Sequence, residues 1–270
     1  CRIPVSSAGQ QTGIAVIDIH THLLYGADDG ASTLEEALDM VRRAQADGIS
    51  AMVATPHSSD LPPALVADEI PRRVQALQEE LDRNGIAVRL YPGLENYLDL
   101  ELAKRAEAGH ALPLNRGPYI LVELPLTQYP LYTEQVLFEL QIKGLLPVLA
   151  HPERNADVSR DHSLLERLVE RGVLAQVTAA SLLGAFGAEV KRSAEAFVKR
   201  RLVHIIASDA HGPTGHRSPV LSAAVAAASR LVGREQAQAM VTSLPQAILE
   251  GRRLAVEPPL PARRRFSFGG

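Results

Sequence analysis

Val16-Ile17-Asp18-Ile19-His20-Thr21-His22 is an apolar run that closes on two histidines, and the chain repeats that arrangement with variations. Residues 51–55 lead to Pro56-His57, 88–91 to Gly93-Leu94-Glu95, 120–122 to Glu123, and 147–150 to His151-Pro152-Glu153-Arg154. The run at 203–207 leads to Ser208-Asp209-Ala210-His211, and only the seventh, at 174–177, ends otherwise, on Thr178. Short apolar runs of this kind read as strands buried on both faces. Strands that deliver imidazoles and carboxylates at their C-terminal ends are how a parallel barrel assembles a metal centre.

Between the runs the periodicity changes to that of helices. Thr33 with Glu36 makes a capping box, Leu34, Leu38, Val41 and Gln45 trace one mostly apolar face, and Gly48 ends the helix. Further helices are expected over 71–83, 98–107, 133–143, 163–171 and 189–201, with 219–250 helical throughout. Seven strands separated by helices predict an α/β fold with parallel strands and right-handed crossovers. An open doubly wound sheet would gather its ligands at one switch point. Chemistry after nearly every strand favours a closed or nearly closed barrel instead. No GxGxxG or Walker-type loop is present, which removes the dinucleotide and P-loop readings.

A length of 270 residues suits one large α/β domain, and a hydrophobic fraction of 46% is enough to fill its core. The net charge of −3 carries no nucleic-acid footprint. No apolar stretch approaches the roughly 20 residues of a membrane span, and no charged-then-apolar signal segment opens the sequence. The expected compartment is therefore the cytoplasm. A single cysteine, Cys1, excludes an internal disulfide and a thiolate zinc knuckle within these residues. Residues 1–13 read as a flexible leader and 14–256 as one domain. Residues 257–270, with Pro258-Pro259-Leu260-Pro261 and Arg263-Arg264-Arg265, read as a basic, proline-stiffened tail.

Two strand residues two apart share a face, so His20 and His22 can chelate one ion. Alone, the pair is equally an ordinary polar strand pair. With His57, His151 and His211 at equivalent strand ends, five of nine histidines fall on one rim. Asp28-Asp29-Gly30 follows the first strand and also fits a plain turn. Glu95, Glu123 and Asp209 come directly after apolar strands, where an uncompensated carboxylate is costly to bury, so a cation is expected nearby. The candidate ligands are thus His20, His22, Asp29, His57, Glu95, Glu123, His151, Asp209 and His211. They are too many for one ion and generous for two, at four to six ligands each. Imidazole and carboxylate without thiolate suit Mn²⁺, Fe²⁺ or Zn²⁺ rather than Ca²⁺.

In order along the chain, these motifs resemble the PHP (polymerase and histidinol phosphatase) superfamily. Within it they are most similar to the bacterial tyrosine-protein phosphatases of capsule and exopolysaccharide operons, the CpsB/YwqE type. Gln176-Val177-Thr178 and Ser181-Leu182-Leu183-Gly184 add to the match, which runs from about Ile17 to about Arg253. The resemblance implies a distorted (β/α)7 barrel, similar to a TIM barrel, with three divalent metal ions at the C-terminal rim, Mn²⁺ ahead of Fe²⁺ or Zn²⁺. It implies that one ion takes His20, His22, Glu95 and Asp209. A second shares Glu95 and adds Glu123 and His151, and a third takes Asp29, His57 and His211.

The same resemblance implies a hydrolase acting on phosphotyrosine of a bacterial tyrosine kinase that controls capsular or exopolysaccharide synthesis. The alternative enzyme on this site is a phosphoesterase of small phosphomonoesters such as histidinol phosphate. A metal-dependent scaffold without catalysis is the reading from another class. Arg154 and Arg217 are the catalytic candidates, because a guanidinium fork matches two phosphate oxygens. The plain alternative for Arg154 is a surface ion pair with Glu153. A phosphocysteine route has no Cys-x5-Arg loop to run on. A homo-oligomer is also expected from the family.

Overall fold

Apolar runs that cannot be solvated on either face pair with one another, and every strand pairing here is parallel. The computed structural model describes residues 15–62, 66–255 and 257–261. The leader expected at 1–13, Cys1 and the Arg263-Arg264-Arg265 run lie outside the described residues. The strands are β1 Val16–Thr21, β2 Ile49–Ala54, β3 Arg89–Pro92, β4 Glu95–Tyr97, β5 Tyr119–Glu123, β6 Leu146–Ala150, β7 Leu174–Thr178 and β8 Ile205–Ala207. They form a sheet β1-β2-β3 and a sheet β4-β5-β6-β7-β8.

The expected third run is broken into β3 and β4 at Gly93-Leu94. A Cβ on Gly93 would lie 2.8 Å from Val53 Cγ1, so the chain can turn there only with glycine. Counted as one interrupted stave, β3 and β4 give the seven that the sequence predicts. The ring closes across two seams. At one, the His22 amide donates to Ala210 O (2.8 Å), and the Asp209 amide donates to His20 O (3.0 Å). The Ser208 amide also donates to Asp18 Oδ1 across that seam, at 3.0 Å. At the other, the Glu95 amide donates to Pro56 O at 3.1 Å. Isolated bridges Thr21–Ala210 and His57–Glu95 mark the two seams.

Ile17, Ile19, Ala51, Val53, Leu121, Val148, Leu174 and Ile205 fill the barrel interior. Met52, Ala54, Val122, Leu149 and Val177 face outward into the layer packed by the helices. Strict alternation from Ile17 and Ile19 would turn His20 and His22 outward as well. It does not, because β1 carries a bulge. Asp18 pairs with Met52 and Thr21 with Ala54, so three steps on β1 oppose two on β2. One extra residue reverses the phase of the strand and aims both histidines inward.

The first helix spans Leu34–Ala46, with Thr33 Oγ1 accepting from the Glu36 amide at 3.2 Å. The helix expected at 71–83 begins earlier, at Val66, and keeps Pro71 in its second turn, where proline forfeits one ladder bond. The helix expected at 98–107 forms only over Leu102–Glu107. The stretch 219–250 is not continuous: it splits into Ser222–Val232, Arg234–Ala239 and Ser243–Leu249. Gly233, at φ +88°, makes the first break. No helix among the described residues is long and apolar enough to cross a membrane. The start of the expected tail is tied down, since the Leu260 amide donates to Arg200 O at 2.9 Å and Arg201 pairs with Glu257.

Candidate metal centre

The C-terminal ends of the strands bring the nine expected side chains to one rim. His20 Nε2 and His22 Nε2 face each other at 3.1 Å. Glu95 Oε2 lies 3.4 Å from each, and Asp209 Oδ1 lies 3.6 and 3.4 Å from the same two nitrogens. Donor atoms about 2.1 Å from a tetrahedral cation stand about 3.4 Å apart, so this spacing fits one ion. On the other side of Glu95, Oε1 meets His151 Nε2 at 2.9 Å, and Glu123 Oε1 is 3.7 Å from that nitrogen. Asp29 Oδ1 stands 3.1 Å from His211 Nε2 and 3.4 Å from His57 Nε2.

Three groupings of donors could each hold an ion: His20 with His22 and Glu95; His57 with Glu95 and Glu123; and His22 with Asp29, His57 and His211. They overlap the expected sets without matching them one for one. His57 is the main difference. Its Nδ1 approaches Glu95 Oε2 at 2.8 Å while its Nε2 faces Asp29, so it stands between two groupings.

Two residues behind the donors decide which imidazole nitrogens face forward. Asp28 Oδ2 takes His22 Nδ1 at 2.6 Å and the His57 amide at 3.0 Å, while its Oδ1 takes the Gly30 amide. Gln176 Oε1 takes His20 Nδ1 at 3.0 Å. Sequence reasoning missed both roles. Asp28 sat inside an ordinary turn signal, which gives no warning. Gln176 did carry one, as a polar side chain in phase with Leu174 on the inner face of the only run without a ligand at its end. His211 is set by backbone: its Nδ1 bonds to Asp209 O at 2.9 Å, which leaves the lone pair on Nε2, the nitrogen that faces Asp29 and Arg217.

Charge at this rim is frustrated without cations. Burial opposes a charge on His20, yet Glu95 and Asp209 beside it hold its pKa up at about 10. Burial opposes His57 too, and Glu95 lifts it to about 9. Burial and the neighbouring His22 drive His211 down to about 3. Burial would raise Asp28, but His22 pulls it to about 2. Burial and the charge of Glu95 together raise Glu123. Glu95 Oε2 is fully buried with three imidazole nitrogens around it, at 3.4, 3.4 and 2.8 Å. Without a cation those imidazoles must carry protons to balance the carboxylates, and a cation takes the place of those protons. The residues therefore fit divalent metal.

Both candidate arginines reach this rim. Arg154 Nη1 donates to Asp209 Oδ2 at 2.7 Å. Arg217 Nη2 lies 2.6 Å from His211 Nε2 and 3.4 Å from Asp209 Oδ1, and its Nε is buried without a partner. The plain ion pair of Arg154 with Glu153 does not form. Glu153 points inward and its Oε1 accepts the Thr178 amide at 2.9 Å. A cavity of about 670 Å³ lies elsewhere, lined by Arg201, His204, Gly233, Met240 and Glu257 at the N-terminal end of β8, and it holds none of the nine side chains.

Residues 16–250 match the family described as capsular polysaccharide synthesis, CpsB/CapC. The chain belongs to that family. It is 36% identical over 262 residues to the tyrosine-protein phosphatase YwqE of Bacillus subtilis, covering 94% of this chain and 99% of that protein. It is 33% identical to the putative tyrosine-protein phosphatase CapC of Staphylococcus aureus, over 74% of this chain and 78% of that one. Among solved structures it is similar to one from work on YwqE from Bacillus subtilis and CpsB from Streptococcus pneumoniae, described as unique metal-dependent tyrosine phosphatases. That likeness has a TM-score of 0.85 at 34% identity, over 92% of this chain and all of the other. A barrel with a ligand-lined C-terminal rim is thus the fold of this CpsB/CapC member.

Proposed function

We propose that this chain is a metal-dependent tyrosine phosphatase. Its substrate in this reading is phosphotyrosine on a bacterial tyrosine kinase that regulates capsular or exopolysaccharide synthesis. The observation that carries it is the meeting of two arginines with a dense imidazole and carboxylate cluster at Asp209, in a chain similar over nearly its whole length to YwqE. His20, His22, Glu95 and Asp209 would hold one cation, Glu95, Glu123 and His151 a second, and Asp29, His57 and His211 a third, with Mn²⁺ preferred over Fe²⁺ or Zn²⁺. Divalent ions so held supply positive charge against phosphoryl oxygens and acidify water near neutral pH.

The chain's own residues do the rest. Arg154 and Arg217 turn their forks to the phosphate oxygens. Asp28 and Gln176 keep His22 and His20 facing the centre. The reading includes a cytoplasmic location and self-association. The exposed Leu131, Phe138 and Ile142 in and beside the Thr133–Ile142 helix are in keeping with self-association.

Elemental analysis paired with turnover of a phosphotyrosine peptide and of histidinol phosphate tests the proposal. Bound divalent metal, faster turnover of the peptide, and loss of turnover on chelation are expected. Equal or better turnover of histidinol phosphate would move the assignment to small phosphomonoesters. Activity that persists after the metals are stripped would end the metal-dependent account.

A further inference from the structure

Phe186 lies in the turn after the short helix Ala179–Leu183, which directly follows β7, the strand that contributes no ligand to the rim. The loop is rigidly built. Gly184 and Gly187 take φ of +88° and +95°, and the Ala185 and Gly187 amides donate to Ala180 O (3.0 Å) and Gly184 O (3.1 Å). A turn held at both ends presents a half-buried ring in one place. The guanidinium carbon of Arg154 sits over that ring, 4.8 Å from its centroid. On another side the His216 ring meets it edge-on, centroids 5.7 Å apart. Arg154 and Arg217 both reach Asp209. One aromatic ring therefore stands between the two loops that carry the arginines, at the edge of the metal centre.

We propose that Phe186 is a specificity-determining residue, the wall against which an aryl ring on the phosphate packs. The inference rests on the phosphatase reading above and deepens it. A guanidinium that holds phosphate through its edge leaves its face to an aromatic ring, and Phe186 occupies that face. In an aryl phosphate the ring begins at the ester oxygen, so phosphate held by Arg154 brings that ring beside Phe186. An alkyl phosphate presents only a methylene there. Ring-to-ring contact of this kind is worth about a tenfold preference.

The test compares metal-loaded wild type with Phe186→Ala, Phe186→Leu and Phe186→Tyr. Binding of phenylphosphonate and methylphosphonate is measured by calorimetry, which needs no turnover, and metal content and melting temperature are followed alongside. Phe186→Ala is expected to weaken phenylphosphonate about tenfold while methylphosphonate and metal content hold. Phe186→Tyr should keep wild-type discrimination, and Phe186→Leu, which keeps bulk without a π face, should lose most of it. Equal weakening of both ligands would mean that Phe186 only steadies Arg154, and it overturns the proposal, as does no change in either. A wild type that shows this selectivity yet leaves phosphotyrosine peptide intact removes the tyrosine phosphatase reading and keeps the aryl wall. Turnover of the peptide with unchanged selectivity in Phe186→Ala does the reverse.

Discussion

A carboxylate behind an imidazole fixes which nitrogen faces forward, and Asp28 does this for His22 while also holding the amide of His57. Asp28→Asn keeps the shape and removes the charge. It is expected to weaken metal binding about 10- to 100-fold, read by competition with a chromogenic chelator. An unchanged affinity would reduce Asp28 to a turn residue. Protons report on the same cluster. His20 and His57, lifted to about 10 and about 9 by Glu95 and its neighbours, are protonated at neutral pH in the metal-free protein. Metal must displace those protons, so its affinity rises with pH until about pH 10. Calorimetry in buffers of differing ionisation enthalpy should record proton release on loading at pH 7; none would contradict the charge assignment. Of the candidate residues here, His20, His22, His57, Glu95, Glu123, His151, Asp209 and His211 were legible because each lies at or just beyond the end of an apolar run. Asp29 and Arg217, in turn and loop sequence, rested on the family resemblance. Asp28 and Gln176 were not legible, since orienting residues carry no spacing rule.

At the scale of elements, the strands could be read because runs buried on both faces leave little compositional choice. The bulge in β1 could not, since one extra residue changes the register without changing the pattern of residue types. The loop between β1 and the first helix contains a steric test. A Cβ added to Gly30 would fall 2.0 Å from His22 O and 2.6 Å from His22 Cβ. Gly30→Ala must therefore displace the histidine it leans on, at a cost of about 3 kcal/mol or more. The expected result is a lower melting temperature together with reduced metal content; a variant that melts and loads like wild type would show that the loop yields freely. Helix ends were read less well. Gly233 was a visible break signal inside 219–250, and the alanine-rich surroundings masked it.

For the whole molecule, metal and protons compete for one folded state. In the metal-free protein the raised pKa values of His20 and His57 add stability below about pH 6.5 that is lost as pH rises through about 9 to 10. Metal binding strengthens over the same range. The gap in melting temperature between loaded and stripped protein should therefore widen from pH 6 to pH 9, measured by calorimetry; a constant gap would decouple the two. Barrel closure was legible from ligands recurring after nearly every strand. The split into two sheets was not, because it depends on the pairing around Gly93. That split has a consequence for the cell. Both seams are stitched at the rim by backbone hydrogen bonds, and the side chains of His22 and Asp209 meet across one and those of His57 and Glu95 across the other, so candidate metal ligands also help keep two half-shells from parting. Equally inactive variants should then differ in abundance. Arg154→Ala should persist as an intact, silent protein, while His57→Ala should be opened at its seams and cleared by proteases.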